Sequence, residues 1–204
     1  MSFSENAWSV FNQAIADYHT EDSVDALEKN PFPNDTLEHI LYSKNWIDTV
    51  QWHLEDIIRD ENISAEEALK IKRRIDRSNQ DRTDLVESID DFFLDKYQSV
   101  VPHPDAKINT ESPAWAIDRL SILALKIYHM QIETQRESAS AAHQAKCADK
   151  LAILKEQKKD LSQAIDQLLF DIENGNNKIK TYKQMKMYND DSLNPILYQN
   201  KQND

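Results

Sequence analysis

The chain reads as an all-α protein, a single-domain bundle of about five to six helices with a C-terminal wrapping arm. Three observations predict this. Of 204 residues only Gly175 is a glycine, and the six prolines stand at 31, 33, 102, 104, 113 and 195, so helix-breaking residues fall between long periodic stretches rather than inside them. Within those stretches apolar residues recur at three- and four-residue steps. The most apolar stretch, residues 112–136, opens on Ser112-Pro113, a side-chain acceptor for an orphan backbone N–H followed by a residue suited to the first helical position. Residues 1–177 are assigned to the bundle and 178–204 to the arm.

Residues 7–18 place Trp8, Phe11, Ile15 and Tyr18 on one face of a short packing helix. A weaker segment runs to Glu28, and Asn30, Pro31, Pro33 and Asn34 make a turn. Asp35 with Glu38 has capping-box spacing and opens a second helix, whose core stripe is Leu37, Ile40, Ile47, Val50, Leu54, Ile57 and Ile58. One flank of that stripe carries His39, Trp46 and His53 in line, a row that suits interlocking at a helix interface or ligation. The other flank carries Lys44, Asp48, Gln51 and Glu55.

Ser64 with Glu67 starts a third helix over 65–98, with Ile71, Ile75, Leu85, Val86, Ile89, Phe92 and Phe93 on its apolar line. The same line passes through Ser78 and Arg82, with Asn79, Thr83, Glu87 and Asp90 beside it. A guanidinium there needs either a carboxylate from a neighbouring helix or an anionic ligand.

After a loop over 99–111 comes the apolar helix, taken as the centre of the bundle because apolar residues cover most of its circumference. Its polar residues, Asp118, Arg119, Lys126, His129, Glu133 and Arg136, lie in one narrow stripe. The stripe is either a thin solvated face or one wall of an internal polar site. A last long helix keeps Cys147, Leu151, Leu154, Lys158, Leu161, Ile165, Leu168 and Ile172 in a coiled-coil-like seam, stopped by Asn174, Gly175 and Asn176. Tyr182, Met185, Met187, Tyr188, Leu193, Ile196, Leu197 and Tyr198 are too apolar for a free tail, so the arm wraps back over the bundle or over a second subunit, the latter making a homodimer.

Composition excludes several classes. The dinucleotide, Walker and nucleophile-elbow loops each need several glycines. The single Cys147 allows no internal disulfide, residues 1–10 show no charged-then-apolar leader, and Lys126 interrupts the longest apolar run, so a cytoplasmic protein with no membrane span is expected. With 36 acidic against 24 basic side chains the net charge is −12, which argues against nucleic-acid binding except at the local run Lys178, Lys180, Lys183 and Lys186.

Chemistry motifs are sparse. No Glu stands three residues before a His, HExxH is absent, and His53-x-x-Asp56 is a single pair, so no metal site and no cofactor are expected. Glu87-Ser-Ile-Asp90-Asp91 looks somewhat like the second motif of the helical magnesium-dependent nucleotide pyrophosphatases, with Glu55 and Asp56 standing for the first, although the first motif's ExxE is missing. Ser121 and Cys147 show no His partner at a telling spacing.

Five blocks carry a resemblance: Trp52-His53-Leu54-Glu55-Asp56, Asn79-Gln-Asp-Arg82-Thr83-Asp84-Leu-Val-Glu87, Trp115-Ala-Ile-Asp118-Arg119-Leu-Ser121-Ile, Lys126-Ile-Tyr-His129-Met and Lys186-Met-Tyr188-Asn189-Asp. Together they resemble an uncharacterised bacterial family of similar length, known as a domain of unknown function. The resemblance implies a mostly helical, single-domain cytoplasmic protein with no established activity, and motivates a link to surface polysaccharide synthesis. The blocks coincide with the polar positions picked out by helical geometry: Glu55, Asn79, Arg82, Glu87, Asp118, Arg119, Lys126 and His129. The expectation is a semi-buried site for an anionic small ligand such as a sugar phosphate or nucleotide sugar. Arg82 and Arg119 clamp the anion, Lys126 and His129 assist, and Glu55 and Asp118 orient them. The alternatives are a non-enzymatic dimerising interaction protein and the magnesium pyrophosphatase.

Overall fold

A computed structural model describes residues 1–187, 190 and 192–200; Tyr188 and Asn189 of the last motif block lie outside the described residues. Among the described residues six helices account for nearly all the regular structure: α1 Phe3–Tyr18, α2 Leu37–Ile57, α3 Ala65–Lys96, α4 Pro113–Gln135, α5 Ala141–Glu173 and the short α6 Pro195–Asn200. Two two-residue strands, β1 Lys107–Ile108 and β2 Asn177–Lys178, pair in parallel and tie the loop before α4 to the end of α5. The all-α bundle is what the spacing predicts.

α4 is central, packing against α1, α2, α3 and α5. The main core forms around it from Phe11 and Ile15 of α1, Tyr42 of α2, Val86 and Phe93 of α3, and Ile165 of α5, which meet Ile117 and Leu120 of α4. Each such side chain contributes roughly 1.5–3 kcal/mol of transfer free energy on burial. Two smaller clusters continue it, one of Leu54, Ile71 and Ile75 between α2 and α3, the other of Leu123, Ile127 and Leu151 between α4 and α5. No helix among the described residues is long and apolar enough to cross a membrane.

Helix ends depart from expectation in informative ways. α1 starts four residues earlier than the apolar spacing suggests, because Ser2 and Glu5 form a full capping box. α2 is capped by Thr36, whose side chain accepts from His39 N–H, rather than by Asp35. At α4 the Ser112 side chain caps nothing. Its hydroxyl instead donates to Asp90 Oδ2 at 2.6 Å, while Asp90 Oδ1 accepts from Ala114 N–H at 3.1 Å, so the start of the central helix is capped by a carboxylate of α3. The end of α5 follows expectation. Gly175, at φ 73°, lets its own N–H reach Ile172 O and Asn176 N–H reach Asp171 O, the paired bonds of a Schellman turn.

Residues of the arm run along α3: Lys183 pairs with Glu87 and Asp91, and Lys186 donates to Asn79 O and Thr83 Oγ1. Replacing Asp90 with alanine strands the Ser112 hydroxyl and the Ala114 N–H in the interior. We expect Asp90→Ala to lower unfolding free energy by about 2–3 kcal/mol in urea titrations, with helix content unchanged in the folded state.

Candidate functional site

The polar centre of the molecule is built by α2, α3 and α4. One face of α2 brings Lys44, Asn45, Asp48 and Thr49 together, since steps of one, four and five residues share a helical face. α4 presents Asp118 and Ser121 opposite, and α3 supplies Arg82. Lys44 is wholly buried, 0% exposed. Its ammonium contacts Asp48 Oδ2 and lies 2.7 Å from Asp118 Oδ1. Arg82 grips Asp118 through two bonds, Nε to Oδ1 at 3.1 Å and a terminal nitrogen to Oδ2 at 3.2 Å, and its Nε is also 3.4 Å from Asp48 Oδ1. Ser121 donates to Asp48 Oδ2 at 2.6 Å and accepts from Asn45 Nδ2 at 2.9 Å.

The formal charges of Lys44, Arg82, Asp48 and Asp118 cancel, as buried charges require. The two acids are nonetheless driven apart. Burial pushes Asp48 up from the usual carboxylate range, with Lys44 pulling the other way. Asp118 feels the same desolvation, but Lys44 and Arg82 together outweigh it and hold its carboxyl below that range.

This cluster opens on a cavity of about 330 Å³ walled by Asp48, Gln51, Trp52, Glu55, Arg59 and Arg82. Arg82 is the hinge between the two, its side chain 26% exposed. Asp48 Oδ1 is buried and accepts no hydrogen bond among the described residues. A larger open trough of about 1360 Å³ lies between α1 and α5, but Lys155 and Lys159 along it are exposed, and the half-buried Lys158 covers the Trp8 ring at 4.1 Å. The cavity at Arg82 is the better candidate because the buried charges lead into it.

Behind Trp52 lies a second polar group. The Trp52 ring stacks on His129, with centroids 4.7 Å apart and planes 8° apart. His129 in turn meets His53 of α2 and His19, the residue that ends α1, and one ring nitrogen of each lies within 4.8 Å of the others. Burial, then the neighbouring His53 and His19, depress the His129 pKa to about 4, and burial followed by His19 lowers that of His53.

A family model described as a protein of unknown function, DUF4254, matches residues 38–181. The chain belongs to the DUF4254 family. No curated protein and no solved structure matches it. The matched span of this DUF4254 protein holds the whole buried cluster and the cavity, whereas His19 and α1 precede it.

The residues singled out from the DUF4254 sequence divide among several places. Arg82 and Asp118 meet, and Glu55 shares the cavity with Arg82, paired with Arg59 at 2.9 Å. Asn79 lies one step behind, its Oδ1 accepting from Gln51 at 2.9 Å. Glu87 faces the arm and accepts from Gln184 N–H. The expected arginine clamp does not form. Arg119, with its side chain 61% exposed, binds Glu111 at 3.0 Å and shares a separate surface trough with Lys126, because each lies well round the helix from Asp118. The single polar stripe of α4 is thus divided among the buried cluster, a solvated face and the histidine group.

Other expectations are corrected too. Lys44 and Asp48, read as a half-exposed flank, are the most buried charges of α2, while Ile57 of the supposed core stripe is exposed. Glu55, Glu87 and Asp90 each have a different partner: Arg59 of the same helix, the Gln184 N–H of the arm, and Ser112 at the start of α4. Cys147 does have a histidine partner, His143 one turn earlier, with Nε2 at 3.3 Å from Sγ and Glu133 at 2.8 Å from the same nitrogen. A His group drawn from residues 19, 53 and 129 has no local spacing signature: His53 stands in the row on α2 and His129 in the stripe on α4, while nothing in the sequence singles out His19.

Two outcomes follow from these geometries. Lys44→Met leaves two carboxylates facing one guanidinium and should cost about 3–5 kcal/mol in chemical denaturation, whereas Lys44→Met combined with Asp48→Asn restores the charge balance and recovers part of that loss. For His129, a pKa near 4 in the folded chain lies below the ordinary histidine value of 6.5. The unfolded chain therefore binds the extra proton across that window, and this contribution to stability, complete above it, is lost as pH falls through it. Melting temperature should drop on acidification from pH 7 to pH 4 and do so less steeply in His129→Gln.

Proposed function

We propose that this protein binds a small anionic ligand bearing hydroxyl groups, of the sugar-phosphate or nucleotide-sugar class, in the cavity between α2, α3 and α4. The observation that carries the reading is the pairing of two unlike groups in one wall. Arg82 has two of its donors fixed on Asp118 and lines the cavity together with Asp48, whose buried Oδ1 accepts no hydrogen bond among the described residues. A guanidinium held in this way is pre-organised for a phosphate, and a carboxylate oxygen that meets Arg82 Nε only at 3.4 Å and accepts no hydrogen bond among the described residues suits a ligand hydroxyl. Arg59 adds a second cation at the rim, Glu55 and Gln51 add acceptors, and Trp52 supplies an aromatic wall. The acidic surface agrees with a protein that leaves nucleic acid alone, and the proposed setting is the bacterial cytoplasm, with the ligand drawn from surface polysaccharide synthesis.

A second reading, self-association through the arm, draws on Tyr182, Met185, Met187 and Ile196, which are exposed. It predicts a dimer in sedimentation that dissociates when Tyr182 and Met185 become serine; a wild-type monomer would count against it.

Calorimetry against a panel of sugar phosphates and nucleotide sugars tests the first reading. Arg59→Ala should weaken a binding member about fivefold to tenfold and Arg82→Lys more than tenfold, since lysine cannot reproduce the fork. Arg119→Ala should change nothing. Absence of binding across the panel, or equal losses at Arg119 and Arg82, would rule the assignment out.

A further inference from the structure

The histidine group behind Trp52 has no part in the cavity just described, and its geometry is that of a ligand set. His19 Nδ1 lies 2.6 Å from the carbonyl oxygen of Ile15. A carbonyl can only accept, so this nitrogen carries the proton and Nε2 of the neutral ring presents its lone pair. That arrangement, one ring nitrogen donating to backbone and the other left bare, is how metal-bound histidines are oriented. His53 Nε2 stands 3.4 Å from His19 Nε2. Two nitrogens bound to one tetrahedral zinc at ~2.0–2.1 Å sit roughly 3.3–3.4 Å apart, so the pair is already at the ligand–ligand separation. His129 completes the trio, and its Nε2 is buried with no hydrogen-bond partner among the described residues.

The rings are also held. Tyr18 stacks on His53 at 5.1 Å, Trp52 stacks on His129, and Tyr128 packs against His19 at 4.4 Å. The three residues come from the end of α1, the last turns of α2 and the second half of α4, so a shared ion would tie together elements far apart in the chain. Asp22 follows the end of α1 in a left-handed conformation, φ 50°, with its carboxylate 3.9 Å from His19 Nε2. It provides negative charge next to the His19 nitrogen.

We propose that His19, His53 and His129 bind one first-row transition metal ion, with zinc the best match to three imidazoles and a neighbouring carboxylate. Imidazole donors disfavour magnesium and calcium, which take oxygen ligands, and three imidazole nitrogens suit zinc, cobalt or nickel. In the metal-free protein a proton on His53 Nε2 can bridge to His19. On binding, the metal takes that electron pair and the His53 proton moves to Nδ1, so no net proton need be released.

The test uses the full chain stripped with chelator and titrated with Co²⁺ and then Zn²⁺. The expected result is one equivalent of Co²⁺ with visible absorption of a low-coordinate nitrogen site, displacement by Zn²⁺, and a melting temperature raised by about 5–10 °C at saturation. His53→Gln and His129→Gln should abolish the spectrum. His19→Gln, at the end of α1, should do the same without loss of helix content, which separates ligation from folding. His143→Ala, which dismantles the Glu133, His143 and Cys147 group, should leave the spectrum unchanged. A chain that takes up no Co²⁺, or one whose binding survives His19→Gln and disappears in His143→Ala, overturns the proposal. Neither result bears on ligand binding at Arg82, because Trp52 alone is common to the two places.

Discussion

A lysine ammonium with no access to solvent governs how this bundle is put together. Lys44 can be buried only where carboxylates meet it, and it finds one on its own helix and one on α4. The carboxylate on α4 is in turn gripped by Arg82 of α3. Three helices therefore share one electrostatic requirement. Sliding α2 by one residue would move Lys44 by roughly 1.5 Å and turn it about 100°, breaking both contacts and leaving a bare charge inside. Apolar packing alone tolerates such slips far better. The cluster thus contributes register more than net stability, since desolvation offsets most of what the ion pairs gain.

The same fact explains where the sequence was legible. Long helices with regular apolar spacing declare themselves, and the central helix was placed from Ser112 to Arg136 against an observed Pro113–Gln135. The chain's membership in a family of unknown function was legible too, from its motif blocks. The burial of Lys44 and Asp48 was not, because periodicity assigns faces by polarity and treats a lysine and an aspartate four residues apart as a surface pair. When charges are paired across helices that rule inverts, and nothing within α2 signals it. The caps differ for a related reason: Asp90 serves α4 from another helix, so the segment containing Ser112 carries no trace of its true cap.

Arg82 shows how far an anomaly can lead. It stood on an apolar line where an arginine has no business without a partner, and the partner is Asp118, a carboxylate from a neighbouring helix. Arg119 sits beside that aspartate in sequence and gave the impression of joining it. One residue along a helix is about 100° around it, and the Arg119 side chain ends at the surface, tied to Glu111. Adjacency in a motif is evidence about a segment. Convergence in space depends on which face each neighbour covers, and that is decided by contacts the segment does not contain.

Among the described residues, three buried side-chain atoms lack a hydrogen-bond partner: Asn45 Oδ1, Asp48 Oδ1 and His129 Nε2. Each costs on the order of 1–3 kcal/mol if left so, and folded chains keep few of them. They are not scattered. Two belong to the cluster around Lys44, and the third lies against the other side of Trp52, so all line one corridor where α2 runs past α4. Along the rest of α1 to α5 apolar stripes mostly face inward, and several exposed ions pair along helix surfaces. Departures from that pattern in natural proteins gather where structure is held for a purpose other than stability. A bundle selected only to stay folded could have filled this corridor with leucine; this one keeps two acids, a lysine, an arginine and three imidazoles along it, and supports them from four helices.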